Sequence, residues 1–295
     1  FINRNLRLDL VQLIGFDMDY TLAIYNQDRI DALSIECTVR KLVDGRGYPE
    51  EIIGLDYDTQ IAIRGIVVDK DAGNVFKMDR HGHVGKVFHG RRPLSKDELQ
   101  ELYRRERIRL SAPRYAWIDT LFALPEAALY IRLVDFLDER FAKGMGPTPD
   151  YVKLFNDIRA SIDEAHRDES MKRVMKADLA GFLRKDPELA LTLHKFRSSG
   201  KKLFLMTNSL WDYTQCVMSF LLDGELPAYP SWRNYFDIIV VGAAKPGFFT
   251  DRPPFFELDP TAGDASLPED TTTSAHSPNL TGGFGGRSAA RIRRE

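Results

Sequence analysis

Cysteine is scarce: Cys37 and Cys216 are the only two in 295 residues. A disulfide scaffold is therefore excluded as the organising device, and reduced thiols in a cytoplasmic setting are the expectation. No apolar run approaches the roughly 20 residues that cross a bilayer. No basic, apolar, small-residue leader opens the chain, so neither a membrane partner nor a secretory signal is expected. Net charge is nearly absent, with 41 Lys and Arg against 43 Asp and Glu. That balance argues against a dedicated nucleic-acid binder. There is no internal repeat. The hydrophobic share is 43% and the charged share 28%, which excludes a wholly disordered or collagen-like chain. The first residue is Phe1 rather than Met, which suggests a fragment or a translation without its start.

The apolar run Val11–Phe16 ends in Asp17-Met18-Asp19 and reads as a buried strand followed by an acidic turn. Residues 62–87 alternate and carry turn signals at Asp71-Ala72-Gly73-Asn74 and His81-Gly82, the pattern of a β-hairpin or small ribbon. Ser95-Lys96-Asp97-Glu98 is a capping box, predicting a helix to about Leu110. Pro125 opens a helix that stops at Gly144, and another begins near Asp150 with Phe155, Ile158, Ile162 and Ala165 on one face. Asp186-Pro187 opens a helix closed by Gly200. A strand over Lys202–Met206, a helix over Leu210–Leu222 and a strand over Phe236–Val241 follow. Strands alternating with helices imply a parallel sheet covered on both faces. The insertion after the first strand is too long for one crossover and is expected to form a separate cap. The expected division is core over 1–30, an inserted α+β cap over 31–185, core over 186–259, and a tail over 260–295. The tail is rich in Thr, Ser, Gly and Arg, cannot bury enough apolar surface to offset its ordering entropy, and is expected to be disordered.

Three loops carry chemistry. A carboxylate such as Asp17 at a strand end can attack phosphorus, and a second, Asp19, can protonate a leaving oxygen and then activate water. Both could share a Mg²⁺, which takes hard oxygen ligands. Read alone, the pair is better explained by a surface acidic turn, and the apolar strand before it and Thr21 after it weigh towards chemistry. Thr207-Asn208-Ser209 offers hydroxyls and backbone N–H groups to a phosphate, although Thr207 or Ser209 alone would read as a helix cap. Lys245, in Lys245-Pro246, can neutralise phosphoryl oxygens, and alone would read as a solvated loop lysine.

Taken in order, each after a buried strand, these motifs resemble the haloacid dehalogenase superfamily of phosphohydrolases. The segments Ile14–Leu22, Thr120–Glu126, Met206–Ser209 and Ala244–Phe249 are similar to the cytosolic purine 5'-nucleotidases that prefer IMP and GMP, and the likeness covers roughly residues 5–258. The resemblance implies a Rossmann-like parallel core with a large inserted cap, and hydrolysis of purine nucleoside monophosphates through an aspartyl-phosphate. It makes Asp17 the nucleophile and Asp19 the general acid and base, with Mg²⁺ held by Asp17 and the backbone carbonyl of Asp19. Thr207, Asn208, Ser209 and Lys245 would bind phosphate. Phe122 would stack on the purine, Arg159 and Asp163 would make polar contacts to the base and ribose, and Lys172 would be the basic residue of the cap. Without the family, Phe122 reads as core and the i, i+4 pair Arg159–Asp163 as an exposed salt bridge. The family's fourth motif, an acidic loop with further Mg²⁺ carboxylates, has no counterpart here. The tail therefore reads as a truncated or frame-shifted end, with weakened Mg²⁺ binding and a bare apolar sheet edge expected. A non-catalytic nucleotide-binding protein, or a broader phosphatase or phosphotransferase, stays open as an alternative, as does a homo-oligomer. His81, His83 and His89 make a weak metal candidate, and His166 is expected at the surface.

Overall fold

A computed structural model describes residues 7–79, 81–103, 108–251, 255–258 and 289–292. The chain divides into two compact units, one of residues 1–26 with 174–295 and one of residues 27–173.

In chain order, the first unit opens with β1 (Leu13–Phe16) and β2 (Ile24–Tyr25). The second unit runs through α1 (Gln27–Arg46), β3 (Ile66–Asp69), β4 (Asn74–Met78), β5 (Val84–His89), β6 (Arg92–Pro93), α2 (Lys96–Tyr103), β7 (Tyr115–Ile118), α3 (Leu124–Ala142) and α4 (Tyr151–Arg167). Helix α5 (Ser170–Ala177) leads back to the first unit. There α6 (Leu179–Phe182), β8 (Leu183–Arg184), α7 (Leu189–Ser198), β9 (Lys202–Met206), α8 (Trp211–Leu222), β10 (Ile238–Val241), α9 (Gly247–Thr250), β11 (Phe255–Leu258) and β12 (Ala289–Ile292) follow.

The first unit is built on a sheet of order β1-β9-β10-β12-β11. The strands β1, β9 and β10 are parallel. Leu203, Leu205, Val240 and Val241 are buried, but the first strand is not the buried one expected: no residue of β1 is buried and Leu13 is 47% exposed, since β1 stands at the edge of the sheet. Gly15 lies opposite Phe204 in the register. A Cβ at Gly15 would come within 2.1 Å of the Phe204 ring, so the ring occupies the space that only glycine leaves open. Strand β12 runs antiparallel to β10 and parallel to β11. Disorder expected over 260–295 falls outside the described residues except at Ala289–Ile292, where the expectation fails: these four residues are a strand. The sheet continues past β10 through β12 to β11, and its outer strands β1 and β11 expose Leu13 and Phe256. Composition measures side-chain burial and misses a segment whose backbone groups are bonded on both sides.

The second unit carries an antiparallel sheet of order β6-β5-β4-β3-β7. The expected hairpin is its β3–β4–β5 meander, with turn glycines Gly73 and Gly82 at φ of 68° and 85°. Strand β7 was not legible. The capping box forms, Ser95 N–H donating to Glu98 Oε2 at 2.7 Å. The helix does not reach Leu110 as expected, since residues 108–110 are not helical. Helices α1, α3 and α4 contribute Leu42, Leu129, Leu133, Leu154 and Ile158 to one buried cluster with Val68 and Ile118 of the sheet.

One polar chain interrupts that apolar interior. Asp69 is wholly buried and accepts from Arg114 Nε and Nη2 at 2.7 and 2.6 Å and from Tyr103 at 2.6 Å. Asn74 donates to Tyr103 at 2.9 Å and meets His89 Nδ1 at 2.8 Å, while His89 Nε2 lies 2.7 Å from Asp138. Removing one partner of a buried pair leaves the other uncompensated. Asp69→Ala is expected to lower stability by roughly 3 kcal/mol, the low end for such a break because Arg114 keeps some solvent access. A reduced urea midpoint with an unchanged slope is the check.

Candidate functional site

The parallel strands β1, β9 and β10 deliver three loops at their carboxyl ends, where open α/β sheets place their ligands. The first loop winds tightly: the amides of Thr21, Leu22 and Ala23 all donate to the Met18 carbonyl at 2.9–3.2 Å. Tyr20 takes a φ of 58°. That turn leaves Asp17 and Asp19 on either side of the buried Met18. The other two loops are stitched together. Gly242 N–H donates to Ser209 O and Ala243 N–H to Thr207 O, each at 2.9 Å. Asn208 then locks the lysine backbone, accepting from Lys245 N–H at 2.7 Å and donating to its carbonyl at 3.1 Å. The Lys245 ammonium donates to Met206 O at 2.8 Å and meets Asp17 Oδ2 at 2.7 Å.

All six residues expected in this site, Asp17, Asp19, Thr207, Asn208, Ser209 and Lys245, thus meet in one place. Thr207 is buried, and its Oγ1 accepts from Ser209 N–H at 3.1 Å. Asp17 accepts the Met18 N–H at 2.8 Å and keeps 44% of its side chain in solvent. Asp19 is the more enclosed carboxylate. Burial raises its pKa, opposed by hydrogen bonds from Tyr25 and Ser209. Those bonds are 2.5 Å from Tyr25 to Oδ1 and 3.0 Å from Ser209 to Oδ2. Asp17 offers hard, solvent-open oxygens, and Mg²⁺ ordinarily keeps several waters beside one or two carboxylates, so this donor chemistry fits the ion. Among the described residues no group of three His, Cys, Asp or Glu is placed to hold a metal. His89 instead belongs to the polar chain of the second unit.

The residues expected to contact base and ribose lie in that second unit. Phe122 precedes α3 and is 42% exposed, so it is not the core residue its type suggests. Arg159 on α4 pairs at 2.8 Å with Glu126 of α3 rather than with Asp163. The i, i+4 salt bridge therefore gives way to a tertiary one. Glu126 is buried, and its Oε1 and Arg159 Nε have no hydrogen-bond partner among the described residues. Burial also raises the pKa of Asp163. Lys172 pairs with Glu169 at 3.1 Å. His166, expected at the surface, is half-buried, and burial, aided by Lys172, lowers its pKa to about 4. Both cysteines are free, with thiol pKa values raised by burial.

Sequence reasoning missed Tyr25, Tyr213 and Glu126. Glu126 in the first turn of a helix reads as a charge favoured by the helix dipole. Its apolar neighbours on both sides were the available sign of burial.

Burial pushes the Glu126 carboxyl from 4.5 up to about 7. Between those values the folded chain holds a proton that the unfolded chain has released, so this group's contribution to stability falls as pH rises from about 4.5 to about 7. Glu126→Gln is expected to flatten that part of the stability profile, read from urea midpoints at pH 5 and pH 7.5.

The 5' nucleotidase family model matches residues 1–284. A 5'-nucleotidase domain-containing protein of Dictyostelium discoideum is 33% identical over 260 residues, 86% of this chain and 43% of its own length. The 5'-nucleotidase domain-containing protein 2 of Rattus norvegicus is 32% identical over 271 residues, 88% of this chain and 47% of its own. Its namesake in Homo sapiens is 32% identical over 274 residues, 88% and 50% respectively. The chain spans about half the length of the curated relatives it matches. With a match running nearly end to end over a site built from its sequence motifs, this chain belongs to the 5' nucleotidase family.

Proposed function

We propose that this chain is a phosphoric monoester hydrolase of the haloacid dehalogenase type, acting on purine nucleoside 5'-monophosphates with Mg²⁺. The observation that carries the reading is the 2.7 Å contact between Lys245 and Asp17 at the ends of parallel strands. A carboxylate nucleophile repels an anionic phosphoester, and an ammonium beside it offsets that repulsion where charge develops. Asp17 attacks phosphorus, and Asp19 gives a proton to the leaving 5' oxygen. Asp19 then takes a proton from the water that opens the aspartyl-phosphate. Thr207, Asn208, Ser209 and Lys245 bind the transferring phosphate. Mg²⁺, held by Asp17 and the Asp19 carbonyl, would supply further charge neutralisation at the phosphoryl oxygens.

Base recognition falls to Phe122, Arg159, Asp163 and Lys172. An aromatic face stacks on any base. Arg159 donates and never accepts, so it suits the 6-oxo group that adenine lacks.

Asp17→Asn keeps the shape and removes the nucleophile; IMP turnover is expected to vanish while the circular dichroism spectrum is retained. Binding of IMP by the parent chain without turnover would instead support a non-catalytic nucleotide-binding protein. Arg159→Met is expected to erode discrimination between IMP and AMP by about 10-fold in kcat/KM, the scale of losing a charged hydrogen bond. Equal effects on both nucleotides would remove Arg159 from base selection.

A further inference from the structure

We propose that Tyr25, backed by Tyr213, is a positioning residue that holds Asp19 in place for proton transfer in both halves of the reaction. This rests on the reading of Asp19 as the acid and base. The Asp19 carboxylate is held at both oxygens, by the Tyr25 hydroxyl at 2.5 Å and the Ser209 hydroxyl at 3.0 Å. Tyr25 is itself fixed. It is buried, and its strand β2 pairs with β8, Tyr25 opposite Leu183. Its ring lies 5.1 Å from that of Tyr20. Its oxygen is 3.1 Å from the hydroxyl of Tyr213 on α8, which in turn lies 3.9 Å from Met175 Sδ.

Each phenol carries one hydroxyl hydrogen. Tyr25 spends its own on Asp19 Oδ1, which leaves its oxygen able to accept from Tyr213. With a second hydroxyl, that of Ser209, on Oδ2, the carboxylate cannot turn about its last bond without losing a donor.

In the first half the ester P–O bond breaks and a P–O bond to Asp17 forms, and the Asp19 proton goes to the leaving 5' oxygen. In the second, the water oxygen bonds to phosphorus, the Asp17–phosphorus bond breaks, and the water proton returns to Asp19. The sum is ester plus water to alcohol plus phosphate.

The test compares two leaving groups in the full chain with Mg²⁺. A 5' alkoxide needs the proton from Asp19, whereas p-nitrophenolate leaves as a stable anion and needs it little. The ratio kcat/KM covers the steps through leaving-group departure. Tyr25→Phe is expected to lower kcat/KM for IMP by about 10²-fold, the scale of one positioned proton transfer, and for p-nitrophenyl phosphate by at least about 10-fold less. Asp19→Asn should show the same asymmetry. Tyr213→Phe should show it more weakly, and it carries the test if Tyr25→Phe does not fold. Equal losses on both substrates, or none, in the tyrosine variant while Asp19→Asn discriminates would overturn the positioning role and leave the acid-base assignment standing. No discrimination by Asp19→Asn, or no IMP turnover by the parent chain, would overturn that assignment and the positioning role with it.

Discussion

The contact between Lys245 and Asp17 is the constraint around which the first unit is arranged. A lysine and an aspartate separated by more than two hundred positions meet only if their strands run parallel and end level. The register of β1, β9 and β10 provides that. Asn208 then fixes the backbone of Lys245 from the neighbouring loop, and Met206 O receives one of the ammonium hydrogens. The ion pair is thus set by main-chain geometry rather than by two long side chains finding each other. This is why it can be held half-exposed, where an unsupported surface pair contributes little.

The two carboxylates differ by environment, not by type. Asp17 stays partly in water and faces a cation. Asp19 is enclosed, and its oxygens are claimed by two hydroxyls. The same divergence recurs in the second unit, where burial keeps the Glu126 carboxyl reluctant to ionise although Arg159 lies beside it. In both places burial raises a carboxyl pKa and a nearby hydrogen-bond donor opposes it. The balance turns on how many donors reach the group.

How much of this was legible in the sequence follows from which interactions are local. The run before Asp17, the helix starts at Pro125 and Asp150, and the strand over Lys202–Met206 depend on neighbours within a few residues, and they were readable. The three loops of the site were readable because each follows such a strand. Strand β7 was not, because Tyr115–Ile118 is too short to show a period and owes its form to pairing with β3. Strand β12 was hidden by its composition. The partner of Arg159 was misjudged because i, i+4 spacing offers a candidate, while the three-dimensional neighbour Glu126 lies on another helix. Tyr25 carried no sequence sign, since nothing local tells which acceptor a buried phenol will find.

The pairing of β1 with β9 has a consequence for biogenesis. Leu13 lies opposite Lys202, so the first strand leaves the ribosome long before its neighbour is made. At usual elongation rates the wait is roughly 10 to 40 s. Meanwhile the contiguous residues 27–173 can collapse alone, and the nascent segment Leu13–Phe16 presents an open strand edge to whatever is near. The sheet of the first unit can therefore close only late in synthesis, after the whole of residues 27–173 has been made.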